Sequence, residues 1–323
     1  MSNEFSRQPE WHSVGRCQVS SEVFLDVIFT SACDCRCPFC ISCTKEYARE
    51  DEQAWRNALK DAFRLFDIRN VILLGGEATV DPRFREKLQM VSSAMERHPV
   101  DHLILTTNGN KLRDPAFLDL LLESRIDAVN LSRMHYEQEQ NNRIFSHRTL
   151  TPDEIACVYE RLKAAGKTLR LNVNVWKGNL NSVEEMEAFV KVFAGKCDAI
   201  KFTPLMETSM FDTEDRITRY TKENSIPETG IAMLWDAFLA RHKQVRRASR
   251  VLGYVDYAEA DVQGQQVILK YAQVEDKYDR EKMIPTLKLY PNGCLSNEWS
   301  FTRDIRERLT PEELILPQTL GFF

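Results

Sequence analysis

The sequence lacks the features that place a chain in a membrane or direct it to secretion. It contains no run near the roughly 18 apolar residues of a membrane span, and residues 1–10 are polar, without the apolar stretch of a signal peptide. A strong net charge of either sign is absent too, since the net charge is −5. This modest negative charge gives no reason to expect nucleic acid as a partner. We therefore expect a cytoplasmic chain with no nucleic-acid or membrane partner.

The pattern of a disulfide framework is also missing. The nine cysteines are an odd number, and five of them fall within residues 33–43, which indicates metal binding instead. Soft thiolates this close together suit an iron–sulfur cluster. Zinc bound by Cys37, Cys40 and Cys43 is the alternative, although the second C-x2-C pair that zinc ribbons usually supply is not found further along the sequence.

What the sequence does contain is a repeated β-α pattern. Apolar, β-branched runs predict strands at 23–29, 70–74, 102–106, 128–132, 169–175 and 199–203. Apolar residues at helical spacing predict five helices between them. Six such β units specify an α/β fold with a parallel sheet and right-handed crossovers. After residue 204 the pattern changes to one amphipathic helix and a hairpin with its turn at Pro291-Asn292-Gly293.

Three features of the sequence together resemble one known family. Cys33, Cys37 and Cys40 form a C-x3-C-x2-C triplet directly after the first strand, Phe39 precedes the last cysteine, and Gly75-Gly76-Glu77 follows the second strand. This combination is similar to the signature of the radical S-adenosylmethionine (radical SAM) superfamily, and the segments after the third and fourth strands resemble its viperin and molybdopterin-precursor-cyclase branch.

The resemblance implies a fold and a division of the chain. The fold is expected to be a partial (β/α)6 barrel with a small α+β C-terminal cap, and the active site of such barrels lies at the C-terminal ends of the strands. Residues 1–20 are then an N-terminal extension, 21–204 the radical SAM barrel, and 205–323 a cap that binds the substrate. We expect one 4Fe–4S cluster, because no second cysteine cluster follows residue 204.

The resemblance also implies cofactors and site residues. Cys33, Cys37 and Cys40 are expected to bind the 4Fe–4S cluster, and S-adenosyl-L-methionine (SAM) is expected to bind its open iron. The glycines and Glu77 are expected to contact the SAM amine. Further residues expected to contact SAM or to line its pocket are Phe39, Asn108, Ser132, Arg133, Arg143, His147, Arg148, Asn172 and Asn174. Arg143, His147 and Arg148 are alternatives for the SAM carboxylate.

The activity that follows is hydrogen abstraction by a 5′-deoxyadenosyl radical from a nucleoside, sugar or nucleotide, with a flavodoxin or ferredoxin as electron donor. A peptide-modifying radical SAM enzyme and a metal-binding protein without turnover are the alternatives. Lys201 and Glu207, near the last strand of the predicted barrel, are candidate substrate contacts. Cys294 is either a hydrogen-atom donor to the substrate radical or a small buried side chain, and Cys35 and Cys43 are not expected to bind the cluster.

Overall fold

The structure is a computed structural model, and it describes residues 11–14, 17–42, 50–208, 215–249, 256–270 and 283–308. The chain forms two compact units. The first consists of residues 1–31, 46–103 and 278–323, and the second of residues 32–45 and 104–277. The predicted boundaries at residues 20 and 204 do not coincide with these units. The functional division that they describe stays a prediction.

The first unit has a parallel core of strands that come from both ends of the chain. Its elements are β1 (Trp11–Val14), β2 (Cys17–Ile28), α1 (Glu52–Leu65), β3 (Ile68–Leu74), α2 (Phe84–Met95), β11 (Met283–Leu289) and β12 (Leu295–Ser296). Strand β2 pairs in parallel with β3 on one side and with β11 on the other. The Pro291-Asn292-Gly293 turn joins β11 to antiparallel β12, as the sequence predicts.

The second unit contains the remaining elements. They are β4 (His102–Thr107, all but its first two residues), α3 (Pro115–Glu123), β5 (Ala128–Ser132), α4 (Gln138–Phe145), α5 (Pro152–Ala164), β6 (Thr168–Val175), α6 (Val183–Phe193), β7 (Ala199–Pro204), α7 (Asp215–Asn224), α8 (Glu228–Arg241), β8 (Lys243–Ser249), β9 (Asp256–Val262) and β10 (Gln265–Lys270). Strands β4, β5, β6, β7 and β10 are parallel in that order, and β9 and β8 continue antiparallel.

Alternating side chains explain why these strands leave a polar face. On β6 the leucines and valines are buried, whereas Arg170, Asn172 and Asn174 are only partly buried, as the two-residue period of a strand requires. Helices α3, α5 and α6 begin at side-chain caps, and Thr151 with Glu154 forms a complete capping box at the start of α5. Thus the local sequence fixes both the faces of the strands and the starts of the helices.

Most predicted elements are confirmed, and within each unit the strands predicted to be parallel pair in parallel. Three features differ from the sequence prediction. Strand β2 begins at Cys17, within the predicted N-terminal extension; α4 is not among the predicted helices; and β10 and β11 pair in parallel with β7 and β2. Among the described residues, no helix combines the length and apolar character needed to cross a membrane.

Candidate active site

The cysteine loop, residues 33–40, is held at its backbone by the end of α4. The Arg36 amide donates a hydrogen bond to the Phe145 carbonyl (2.9 Å), and within the loop the Cys40 amide donates to the Cys37 carbonyl (3.2 Å). Ser146, which ends α4 in the left-handed conformation, donates its hydroxyl to the Arg36 carbonyl (3.5 Å). Helix α4 therefore positions the loop.

Two asparagines after β4 hold the same loop through its side chains. Asn108 Nδ2 donates to Asp34 Oδ1 (2.6 Å) and to Cys35 Sγ (3.2 Å). Asn110 Nδ2 donates to Asp34 Oδ2 (2.8 Å) and lies 3.5 Å from Cys35 Sγ. Asn108 Oδ1 in turn accepts from the Asn110 amide (2.9 Å). The predicted cofactor residue Asn108 thus supports the cysteine loop, and its contact with SAM stays a prediction.

The donor set of the triplet fits a cationic metal centre. Burial raises the pKa of the Cys37 thiol, and negative charge on Cys40 and Cys33 raises it further. A bound iron cluster would offset the charge that the thiolates of Cys33 and Cys40 place near Cys37. Cys33 and Cys37 also pack against a buried apolar cluster formed by Cys35, Met134, Phe145, Trp176 and Leu205.

Cys35 lies among these cysteines but has a different environment. The ligand atoms of Cys33, Asp34 and Cys35 lie within 4.8 Å of one another. However, Cys35 is buried, and its sulfur accepts the asparagine amides described above. The Cys35 amide also donates to Cys33 Sγ (3.3 Å). We interpret Cys35 as a support of the loop. Cys43 lies outside the described residues.

Phe39 belongs to the apolar surroundings of the loop. Its ring packs against Trp176, with centroids 5.3 Å apart and the planes inclined at 54°. Trp176 follows β6 and is buried. The pair covers the loop with apolar surface and excludes water from that side, which strengthens electrostatic interactions at the cysteines.

The Gly75-Gly76-Glu77 segment belongs to the first unit. A Cβ atom on Gly75 would lie 2.6 Å from the Thr30 carbonyl oxygen, and the Gly76 amide donates to that oxygen (2.8 Å). Glu77 is buried, and its Oε1 accepts from the Thr79 amide (3.2 Å) and hydroxyl (2.7 Å). Thus only glycine fits at position 75, while the contact between Glu77 and the SAM amine stays a prediction.

The structure brings together three predicted polar residues at the ends of β5 and β6. Ser132 is the register partner of Asn172, and Asn174 is on the same face of β6, two residues further. Asn172 Oδ1 is buried and has no hydrogen-bond partner among the described residues. Because a buried acceptor without a partner is costly, this oxygen is suited to receive a donor from a ligand.

Arg133, a candidate SAM contact in the sequence, makes contacts with the segment that follows β5. Its side chain is fully buried, and it donates to the carbonyls of His135 (2.7 Å), Leu150 (2.6 Å) and Tyr136 (3.3 Å) and to Gln138 Oε1 (3.1 Å). Burial lowers its pKa to about 10. These four contacts support a structural role for Arg133, and its contact with SAM stays a prediction.

The three candidates for the SAM carboxylate have different surroundings. Arg143 is largely exposed and faces Glu139 (3.7 Å), and Arg148 is largely exposed and faces Glu154 (3.7 Å). His147 Nε2 lies 3.8 Å from Asp34 Oδ2 in the cysteine loop. Of the three, His147 is the residue that an observed contact places beside the loop.

Cys294 belongs to the first unit. It is buried with Ile28 and Tyr290, and burial raises the pKa of its thiol to about 12. These surroundings agree with a small buried side chain. Its role as a hydrogen-atom donor stays a prediction.

The comparison with protein families identifies the superfamily to which this chain belongs. The model of the radical SAM superfamily matches residues 27–193, which is more than half of the chain. The chain belongs to the radical SAM superfamily. It is therefore a radical SAM enzyme, and the cofactors of that superfamily are a 4Fe–4S cluster and SAM, in agreement with the cysteine triplet.

Curated relatives of this radical SAM enzyme are GTP 3′,8-cyclases. The protein from Paracoccus denitrificans (strain Pd 1222) is 25% identical over 250 residues, which cover 76% of this chain and 67% of the relative. The protein from Ectopseudomonas mendocina (strain ymp) is 28% identical over 161 residues, which cover 48% of this chain and 46% of the relative. The chain thus spans between about half and two thirds of the length of these relatives.

A solved structure shares the radical SAM fold. Streptococcus suis SuiB bound to S-adenosylmethionine superimposes with a TM-score of 0.57 at 16% identity, over 88% of this chain and 62% of SuiB. This likeness confirms the predicted partial-barrel fold class. At such low identity it shows the fold alone.

Sequence reasoning missed several residues of this radical SAM site. Asp34 and Asn110 tie the loop to β4, Trp176 covers Phe39, and Arg170 extends the polar face of β6. The sequence pattern could have identified Arg170, because this residue continues the two-residue alternation of Asn172 and Asn174. No local sequence pattern identifies Asp34 or Trp176, because their roles depend on contacts between segments far apart in sequence.

Proposed function

We propose that the chain removes a hydrogen atom from a small-molecule substrate, which is a nucleoside, sugar or nucleotide of a biosynthetic pathway. The observation that carries this proposal is the Cys33, Cys37 and Cys40 triplet on an anchored loop in a radical SAM chain. When bound, the cluster and SAM supply a 5′-deoxyadenosyl radical that abstracts this hydrogen.

The residues of the chain bind, orient and shield these groups. The three thiolates hold the cluster, and the Asn108, Asn110 and α4 contacts keep the loop in one position. Phe39 and Trp176 exclude water. Such a preorganised, dry site protects a reactive intermediate from side reactions.

We propose which residues contact each part of SAM. Gly75, Gly76 and Glu77 take the amine, His147 takes the carboxylate, and Ser132, Asn172 and Asn174 face the remaining polar groups. The support is the steric restriction at Gly75, the contact of His147 with the cysteine loop, and the Asn172 oxygen without a partner.

A nucleotide substrate is supported by sequence similarity. The curated relatives are named as GTP 3′,8-cyclases, and the residues that match them extend over most of this chain in the longer alignment. The likeness to SuiB does not favour a peptide substrate, because at 16% identity it concerns the fold.

The test is anaerobic reconstitution with iron and sulfide, followed by reduction with SAM present and measurement of 5′-deoxyadenosine. Flavodoxin and ferredoxin, the proposed electron donors, are compared with dithionite. We expect 5′-deoxyadenosine in the wild type and none in Cys40→Ala, while Cys157→Ala, which changes an exposed cysteine of α5, retains it. Nucleosides and nucleotides are then screened for increased SAM cleavage.

Two results would contradict this proposal. Zinc bound in place of iron, or iron with no SAM cleavage under any reductant, removes the proposed chemistry. Stimulation by peptides and not by nucleosides, sugars or nucleotides removes the proposed substrate class while leaving the radical chemistry in place.

A further inference from the structure

Two cationic side chains share the polar face of neighbouring strands. Arg170 lies on β6 two residues before Asn172, and Asn172 is the register partner of Lys201 on β7. Because same-face residues on a strand are separated by two positions, Arg170, Asn172 and Lys201 lie on one face of adjacent strands. Both cationic side chains are partly buried.

Among the residues that the structure describes, neither Arg170 nor Lys201 forms an ion pair with a carboxylate. Arg170 Nε is buried without a hydrogen-bond partner among the described residues. Burial lowers the pKa of Arg170. Burial also lowers the pKa of Lys201 far below its usual range, and the two charged groups that lower it further, Arg170 and Lys270, are both positive.

Lys270 reaches this region from the next strand. The β10–β7 register pairs Leu269 with Phe202. The next residue of β10, Lys270, therefore lies opposite Thr203, and Thr203 is two residues after Lys201 on β7. Strands β6, β7 and β10 thus each bring one cation to adjoining positions. Burying an isolated charge is expensive, and burying like charges near one another is more so.

We propose that Arg170 and Lys201 bind an oxyanion of the substrate, a phosphate or a carboxylate. The proposal rests on the proposed function and names the chemistry by which that site recognises its substrate. The guanidinium group offers a planar set of donors that matches an oxyanion, and the ammonium group adds a compact charge.

A purely structural role for these cations predicts a different behaviour. If Lys201 stabilised the fold, its replacement by methionine would lower the unfolding temperature. If it is kept for a ligand, Lys201→Met leaves the unfolding temperature unchanged or raises it, because an unpaired buried charge is removed, while anion binding weakens.

The experiment measures the affinity of pyrophosphate and of malonate by calorimetry, using the reconstituted enzyme with SAM bound. Pyrophosphate represents a phosphorylated substrate and malonate a carboxylate substrate, at matched ionic strength and with iron content measured before and after. The variants are Arg170→Gln and Lys201→Met, and the matched control is Lys191→Met on the exposed side of α6.

We expect one of the two anions to bind, and each site variant to weaken its binding about tenfold or more, the loss expected for a charge-assisted hydrogen bond. Lys191→Met keeps the wild-type affinity.

The result that overturns the inference is an affinity that is equal in the wild type and both site variants, or no binding of either anion. Failure of this inference can be distinguished from failure of the proposed function. Formation of 5′-deoxyadenosine without anion binding removes the oxyanion site alone, whereas anion binding lost in Lys201→Met without SAM cleavage removes the radical activity and leaves the site.

Discussion

Cysteines that are close in sequence have different surroundings in the second unit. Cys37 repels Cys33 and Cys40 through negative charge, whereas the Cys35 sulfur accepts hydrogen bonds from Asn108 and Asn110. A hydrogen bond with Cys33, burial and negative charge on Cys33 and Cys37 also raise the pKa of the Cys35 thiol, so the hydrogen bonds from the two asparagines to its sulfur are what support its interpretation as part of the loop scaffold. Binding of the cluster by the triplet stays a prediction.

The first prediction follows from this contrast. Changing Cys33, Cys37 or Cys40 singly to alanine removes a cluster ligand, so we expect iron and sulfide to be lost after reconstitution. Cys35→Ala removes a hydrogen-bond acceptor and retains iron, as does the exposed control Cys157→Ala. Iron and sulfide analysis, together with the visible absorption spectrum, measures the cluster content of each variant. Iron retained in a triplet variant, or lost in Cys35→Ala, would show that the ligands are assigned wrongly.

The cysteine loop is an element without helix or strand, and its position depends on its neighbours. The residues after β4 bind its side chains, and the end of α4 binds its backbone. The cysteine spacing was sufficient to predict the loop. Helix α4 was not predicted, because its residues Gln138–Phe145 are mostly polar and its stability comes from contacts such as the buried Asn141 side chain, which accepts from the amides of Met134 (2.8 Å) and His135 (3.0 Å).

Asn108→Ala tests the anchoring of this loop. It removes the 2.6 Å donor to Oδ1 of Asp34, which is an exposed residue, and the 3.2 Å donor to the buried Cys35 sulfur, a loss of about 1 kcal/mol. We expect iron to be lost to a chelator faster than from the wild type. The control is Asn57→Ala, an exposed asparagine of α1.

The same variant separates anchoring from direct cofactor binding. If Asn108 contacts SAM and contributes little to the loop, the dissociation constant for SAM rises while the rate of iron loss stays at the wild-type value. That pattern, measured by equilibrium SAM binding beside the chelator assay, would contradict the anchoring role.

At the scale of the whole chain, the sequence predicted the order of the elements better than their partners. Alternation and apolar runs located β2 to β7, because these signals are local. The parallel pairing of β11 with β2 joins the two ends of the chain, and β10 pairs with β7 after an intervening pair of helices. Such pairings depend on register between distant segments, which no local pattern encodes.

Stability at low pH is the last prediction, and it concerns the unfolding of the chain. Hydrogen bonds from Arg113 lower the pKa of Glu154 from 4.5 to about 2, with Arg113 Nε 3.0 Å from Glu154 Oε1. A lowered carboxyl pKa stabilises the folded state above the ordinary value, and this contribution is lost as the pH falls from 4.5 towards 2. Because the pair is partly exposed, we expect a contribution of only about 1 kcal/mol.

Glu154→Gln isolates this charge, because glutamine at the third position of α5 still completes the capping box with Thr151. Urea unfolding at pH 7 should show the variant about 1 kcal/mol less stable than the wild type, and the difference should vanish as the pH approaches 2. The exposed control Glu139→Gln, whose contact with Arg143 is 3.7 Å, should show no such dependence. A difference between Glu154→Gln and the wild type that stays constant across this pH range would contradict the assignment of the stabilisation to the Glu154 charge.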